Sequence, residues 1–179
     1  MTHLTRVFLS CLLISLLSFA CSKPAPNSLV ESAPSPGSPA AQKITSEGVV
    51  KAEAQRIELP AGGSAEVTVR LTIQNGYHVN ANPPTFSYLK ATTLDVSAGD
   101  GVSVSFIAYP KGVEKKFVFA EKRLAVYEGE TDLKIALKSD RAAKKGERSV
   151  PARLRIQACD EQVCYPPGSL ELTIPVNIN

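Results

Sequence analysis

From about residue 46 onward, apolar and polar side chains alternate with a period of two. Ala65, Val67, Val69, Leu71 and Ile73 interleave with Glu66, Thr68, Arg70, Thr72 and Gln74. That spacing puts one apolar and one polar face on an extended strand. Four further runs behave alike: Val102-Val104-Phe106, Leu133-Ile135-Leu137, Leu154-Ile156-Ala158, and Leu170-Leu172-Ile174-Val176-Ile178. Turn signals separate them at Ala61-Gly62-Gly63, Asn75-Gly76, Gly99-Asp100-Gly101, Glu128-Gly129-Glu130 and Lys145-Gly146. Half-buried strands without a convincing amphipathic helix predict an all-β antiparallel sandwich. Asn82–Leu89 and Lys111–Arg123 read as long loops, and Arg141–Lys145 as at most a weak helical turn.

The N-terminal stretch has another pattern. Residues 1–20 carry Arg6, no acid, and the apolar run Val7–Ala20, too short and Ser-interrupted for a membrane span. A basic start, an apolar middle and a small residue before a break predict an export signal. Leu17-Ser18-Phe19-Ala20-Cys21 resembles a bacterial lipobox, which implies that Cys21 carries lipid and holds the chain on a membrane surface. Plain signal cleavage with Cys21 incidental is the alternative. Ser22 is not the Asp that lipoprotein sorting associates with inner-membrane retention, so the expected location is the periplasm-facing side of the outer membrane. Residues 21–45 contain Pro24, Pro26, Pro34, Pro36 and Pro39 among Ser and Ala, and read as an extended tether. The expected organisation is a signal over 1–20, a lipidated tether over 21–45 and one β domain over 46–179.

Composition narrows the chemistry. The 179 residues are 44% apolar and 21% charged, which is ordinary for a globular chain. A net charge of +3 is too balanced to predict nucleic-acid binding. His3 and Cys11 lie in the signal, leaving His78 as the one mature histidine. Blue copper therefore lacks its second histidine, structural zinc would need Cys159, Cys164, His78 and a carboxylate together, and a Cys-His hydrolase is disfavoured because two near cysteines in an oxidising space close on each other; no metal or cofactor is expected.

With Cys21 consumed, Cys159 and Cys164 remain in an oxidising compartment where pairs close. They end two strands across a four-residue connection, and Pro166-Pro167 stiffens the exit. A loop this short stabilises a fold by only about 2 kcal/mol through chain entropy, while a bridge at a hairpin mouth is open to a partner thiolate. Spacing leaves a structural bridge and a redox pair equally open. Asp160 and Glu161 place negative charge beside Cys159, which disfavours its thiolate, and no Lys or Arg lies between the cysteines.

Gln157-Ala-Cys-Asp-Glu-Gln-Val-Cys-Tyr-Pro-Pro167 resembles the active-site hairpin of the N-terminal periplasmic domain of the thiol:disulfide interchange protein DsbD. Asn75-Gly-Tyr-His-Val-Asn80, Tyr109–Phe117 and Tyr127-Glu-Gly-Glu130 resemble further parts of that family, so the likeness spans about 46–179. It implies an immunoglobulin-like fold in which Cys159 and Cys164 exchange electrons with thioredoxin-fold donors and acceptors. It also implies an aromatic cap over the pair. Phe117 is the best positional match, Phe119 its rival, and Tyr77, His78 and Tyr165 are candidate pocket residues. Some members enclose five residues between the cysteines where this chain has four. The sequence given ends at Asn179, before any membrane conduit or thioredoxin-like domain, so a separate protein is expected to supply electrons to this stand-alone lipoprotein. The competing reading is a non-catalytic immunoglobulin-like binding or assembly lipoprotein with a structural disulfide.

Overall fold

The computed structural model describes residues 43–179; the signal, Cys21 and nearly all of the tether lie outside the described residues. A 3-10 turn (Glu47–Val49) leads into twelve strands: β1 Val50–Ala54, β2 Ile57–Leu59, β3 Ser64–Ile73, β4 His78–Asn80, β5 Thr93–Val96, β6 Val102–Ala108, β7 Val113–Lys115, β8 Leu124–Tyr127, β9 Glu130–Ser139, β10 Gly146–Ile156, β11 Ala158–Cys159 and β12 Gly168–Ile178. They form three four-stranded sheets, ordered β1-β3-β9-β6, β2-β12-β10-β5 and β11-β4-β8-β7.

The first two sheets form the antiparallel sandwich that the alternation predicts, with the immunoglobulin-like character that the family resemblance implies. Val67, Val69, Leu71, Leu133, Ile135 and Leu137 face inward from the first, and Leu154, Ile156, Ile174, Val176 and Ile178 from the second. Each fully buried Val, Leu or Ile contributes on the order of 1.5–3 kcal/mol. The β10–β12 ladder pairs every residue from Gly146↔Ile178 to Ile156↔Gly168. Pairing is antiparallel throughout except for β2 with β12, a parallel edge pair.

One expected strand face is corrected. The alternation of Val102, Val104 and Phe106 holds only at its start, because the register with β9 shifts between Val104 and Phe106. An extra residue there turns the following side chains over, so Phe106 is exposed and Ile107 faces the core.

The third sheet positions the cysteines. β10 ends at Ile156, and β11 crosses within two residues to pair with β4. All three β4 residues are buried, because both faces of the strand are covered. The approach to β7 packs so tightly that a Cβ on Gly112 would lie 2.6 Å from that of Ala81 and 3.0 Å from the Val126 nitrogen. The Tyr127 hydroxyl accepts from Asn82 N–H at 3.1 Å and donates to the Pro110 carbonyl at 2.9 Å, tying two loops to the sheet.

Candidate functional site

Cys159 and Cys164 are joined by a disulfide with Cα atoms 3.9 Å apart. Ala158–Tyr165 and Asp160–Val163 backbone hydrogen bonds flank the pair, so it occupies a non-hydrogen-bonded position, where Cα atoms approach most closely. Asp160 builds the turn: its Oδ1 accepts from the Gln162 and Val163 N–H groups at 2.7 and 2.8 Å, and its Oδ2 from the Tyr165 hydroxyl at 2.6 Å. The Tyr165 bond first, then the two amides, hold the Asp160 carboxyl below the usual carboxylate range. The same contact pushes the Tyr165 phenol up to about 12.

The two sulfurs meet different surroundings. Cys159 is fully buried, whereas Cys164 is exposed. Opposite Cys159 in the β11–β4 register stands His78, 1% exposed. Phe117 stacks on the His78 ring at 4.0 Å and 20°, and Phe119 on Phe117 at 5.3 Å and 16°. Lys115 lies 5.5 Å from the Phe117 centroid, its ammonium between Glu128 at 2.5 Å and Glu161 at 3.0 Å. Burial pushes the His78 imidazole down to about 4; Glu128 opposes the shift and Lys115 adds to it. The Lys116 ammonium folds back onto the Ala120 and Glu121 carbonyls, closing the turn that follows Phe117.

Cys164 opens onto a cleft of about 500 Å³ with Phe86, Tyr88, Leu89, Phe119 and Leu124. The 82–92 loop that supplies one wall is tied down from below. Thr85 Oγ1 accepts from Ala125 N–H at 2.7 Å, Asn80 Nδ2 donates to the Lys90 carbonyl at 3.1 Å, and Asn82 Nδ2 to that of Thr92 at 3.0 Å.

The structure thus gathers Cys159, Cys164, His78 and Phe117, with Phe119 bridging to the cleft. Tyr77 lies apart from the cleft, near Tyr165 (centroids 6.1 Å) and beside Lys43–Thr45. The acidic pair is less free than its place in the sequence suggests, since Asp160 is held by the turn and Glu161 by Lys115. Sequence reasoning placed that lysine in the long Lys111–Arg123 loop, whereas it ends the short strand β7, which the sequence reading did not expect. It also missed Ser46, fully buried, whose hydroxyl accepts from Ala158 N–H at 3.0 Å and donates to the Pro166 carbonyl at 2.6 Å, joining both arms of the hairpin. Nothing local marks such a serine. The Phe86–Leu89 wall carried a faint signal, aromatics in a Pro-bounded loop. Among the described residues no group of three or more His, Cys, Asp or Glu side chains is placed to hold a metal ion.

Comparison with known proteins adds a family. No curated sequence matches the chain. Solved structures similar to it include the N-terminal periplasmic domain of ScsB from Proteus mirabilis, at 16% identity and TM-score 0.48 over 70% of this chain and 44% of that one. AggA, the major subunit of aggregative adherence fimbriae type I from Escherichia coli, aligns at 9% identity and TM-score 0.32 over 73% and 94%. The chain thus spans less than half of the ScsB domain chain. The family model described as thiol:disulfide interchange protein DsbD, N-terminal, matches residues 46–174, from the serine that joins the hairpin arms into the last strand. Over that whole domain, the chain belongs to the DsbD N-terminal family.

Proposed function

We propose that this domain is a thiol–disulfide exchange module that passes electrons between thioredoxin-fold proteins through Cys159 and Cys164. The unequal exposure of the two cysteines carries this reading. Exchange needs in-line access to one sulfur and a leaving group on the other, and the hairpin offers Cys164 while withholding Cys159. A donor's thiolate bonds to Cys164 Sγ, the Cys159–Cys164 bond breaks, and its electron pair leaves on Cys159. The donor's second thiolate then attacks the donor's own sulfur, releasing Cys164 and leaving the donor oxidised. The reduced pair repeats these steps in reverse with an acceptor disulfide.

The cleft beside Cys164, lined by Phe86, Tyr88, Leu89, Phe119, Leu124 and Glu121, offers a partner apolar contacts and one carboxylate next to the accessible cysteine. Phe117, closed over His78, shields the buried side. The signal and lipobox support an envelope location, with Cys21 holding the domain on the periplasmic face of the outer membrane.

Single-cysteine variants test the reading. Cys159→Ala keeps the accessible sulfur and should form a mixed disulfide with a purified thioredoxin-fold protein carrying one activated active-site cysteine. Cys164→Ala should capture far less. Failure of both, with a reduction potential below about −300 mV, would make the bridge structural and the protein a binding or assembly domain.

A further inference from the structure

We propose that His78 is the proton-holding partner of Cys159: set opposite it on β4 and sealed beneath Phe117, its imidazole keeps a proton beside the thiolate that Cys159 becomes when the disulfide opens. This rests on the exchange reading above and names a group within that site.

The leaving sulfur poses the problem. Cys159 is completely buried, and an anion released there without a counter-charge is strongly disfavoured. A poor leaving group slows exchange. Compensation therefore has to come from the side chains that face this pocket. Lys115 from β7 is held between Glu128, just after β8, and Glu161 of the hairpin. Asp160 is engaged by its own turn and by Tyr165. These groups set one positive charge against three negative ones and leave no free cation among them.

His78 remains. In a directly opposed antiparallel pair the side chains share a face with Cβ atoms about 4.5–5.5 Å apart, and Cys159↔His78 is such a pair. His78 Nε2 is buried and has no hydrogen-bond partner among the described residues. Orphaned buried nitrogens are rare and ask for an explanation. With the disulfide closed, neighbouring sulfur presents no charge, and burial keeps the imidazole neutral. Opening the bond creates a negative charge across the strand pair, which favours the imidazolium.

The step balances as follows. An incoming thiolate bonds to Cys164 Sγ, and the electron pair of the broken bond leaves on Cys159 Sγ. His78 takes one proton from solvent, so the buried thiolate–imidazolium pair is neutral overall. The partner's second thiolate then displaces Cys164, which takes the second proton. The partner dithiol has become a disulfide, and this domain has gained two electrons and two protons.

Ring-labelled histidine in the full chain reads the proton directly, with His78→Phe assigning the signal. NMR titration from about pH 5 to 8 should show a neutral His78 in the oxidised protein and proton uptake within that range after reduction by a phosphine. His78→Phe keeps an aromatic ring for Phe117 to cover but removes the nitrogen. It should slow opening by dithiothreitol at neutral pH by about tenfold and change the pH profile of the rate, while His78→Gln retains a polar group and falls between. Identical titration of His78 in both redox states overturns the proposal, as does wild-type opening in a folded His78→Phe. Because the phosphine needs no protein partner, a redox-dependent His78 with no partner trapped would sink only the exchange reading. Trapping with an unresponsive His78 would sink only this one.

Discussion

Ser46→Ala tests whether the hairpin is held as the structure indicates. The serine oxygen accepts from the Ala158 amide at 3.0 Å and donates to the Pro166 carbonyl at 2.6 Å, and both Ser46 and Ala158 are fully buried. Alanine leaves the Ala158 N–H buried without a partner, which costs about 1–3 kcal/mol. The Pro166 carbonyl sits nearer the surface, where water replaces most of what is lost. A net loss of about 2 kcal/mol follows, or roughly 4–8 °C in Tm for a domain of this size. Urea unfolding of the oxidised protein should show a lower midpoint with an unchanged slope. Hydrogen exchange at the Ala158 amide should accelerate more than exchange in β3 or β9, because the lost tie is local to the hairpin. Ser46→Thr retains the hydroxyl and should restore part of both. A loss under about 0.5 kcal/mol with unchanged protection at Ala158 would refute the role given to this serine.

Two further outcomes follow from the buried side of the site. Phe117→Ala removes a ring stacked between His78 and Phe119; it should cost about 3 kcal/mol and make Cys159 of the reduced protein more readily alkylated, and an unchanged alkylation rate would deny Phe117 its shielding role. Acid should destabilise the oxidised form through His78, whose imidazole is held near about 4 when folded, against 6.5 as its ordinary value. Between those values the unfolded chain binds a proton that the folded chain excludes. Stability is therefore complete above about pH 6.5 and falls by as much as about 3 kcal/mol as the pH drops to 4. His78→Phe should flatten that dependence in urea midpoints measured at the two ends of the window; an unaltered slope would point to other groups.

What was legible in the sequence follows from how far each constraint reaches along the chain. β3, β9, β10 and β12 are long and bury one face, so their alternation announces them. β4 is covered on both faces, so His78, Val79 and Asn80 carry no alternation. Phe106 misleads because a register shift, invisible in composition, turns it to solvent. The hairpin itself was readable, since cysteine spacing and the following prolines are local. The division between a buried and an exposed sulfur was not. Ser46 meets the hairpin from 112 and 120 residues away, and the loop carrying Phe86 and Tyr88 is fixed by contacts to β4 and β8. Phe117 and Phe119 are near-equivalent in sequence, yet one is sealed over His78 and the other borders the cleft.

That distribution bears on how the site responds to change. Closing a disulfide across four residues asks little of the rest of the fold, because the turn formed by Asp160 already sets the two strands in register. Controlling which sulfur is reached, and how its charge is met, draws on Ser46, β4, the segment after β7 and the end of β8. Each lies far from the hairpin in sequence. Substitutions in those segments should therefore leave the bond formed while altering its reactivity, whereas changes at Asp160 should disturb bond formation itself. The chemistry of the cysteine pair is thus local, and its control belongs to the third sheet as a whole.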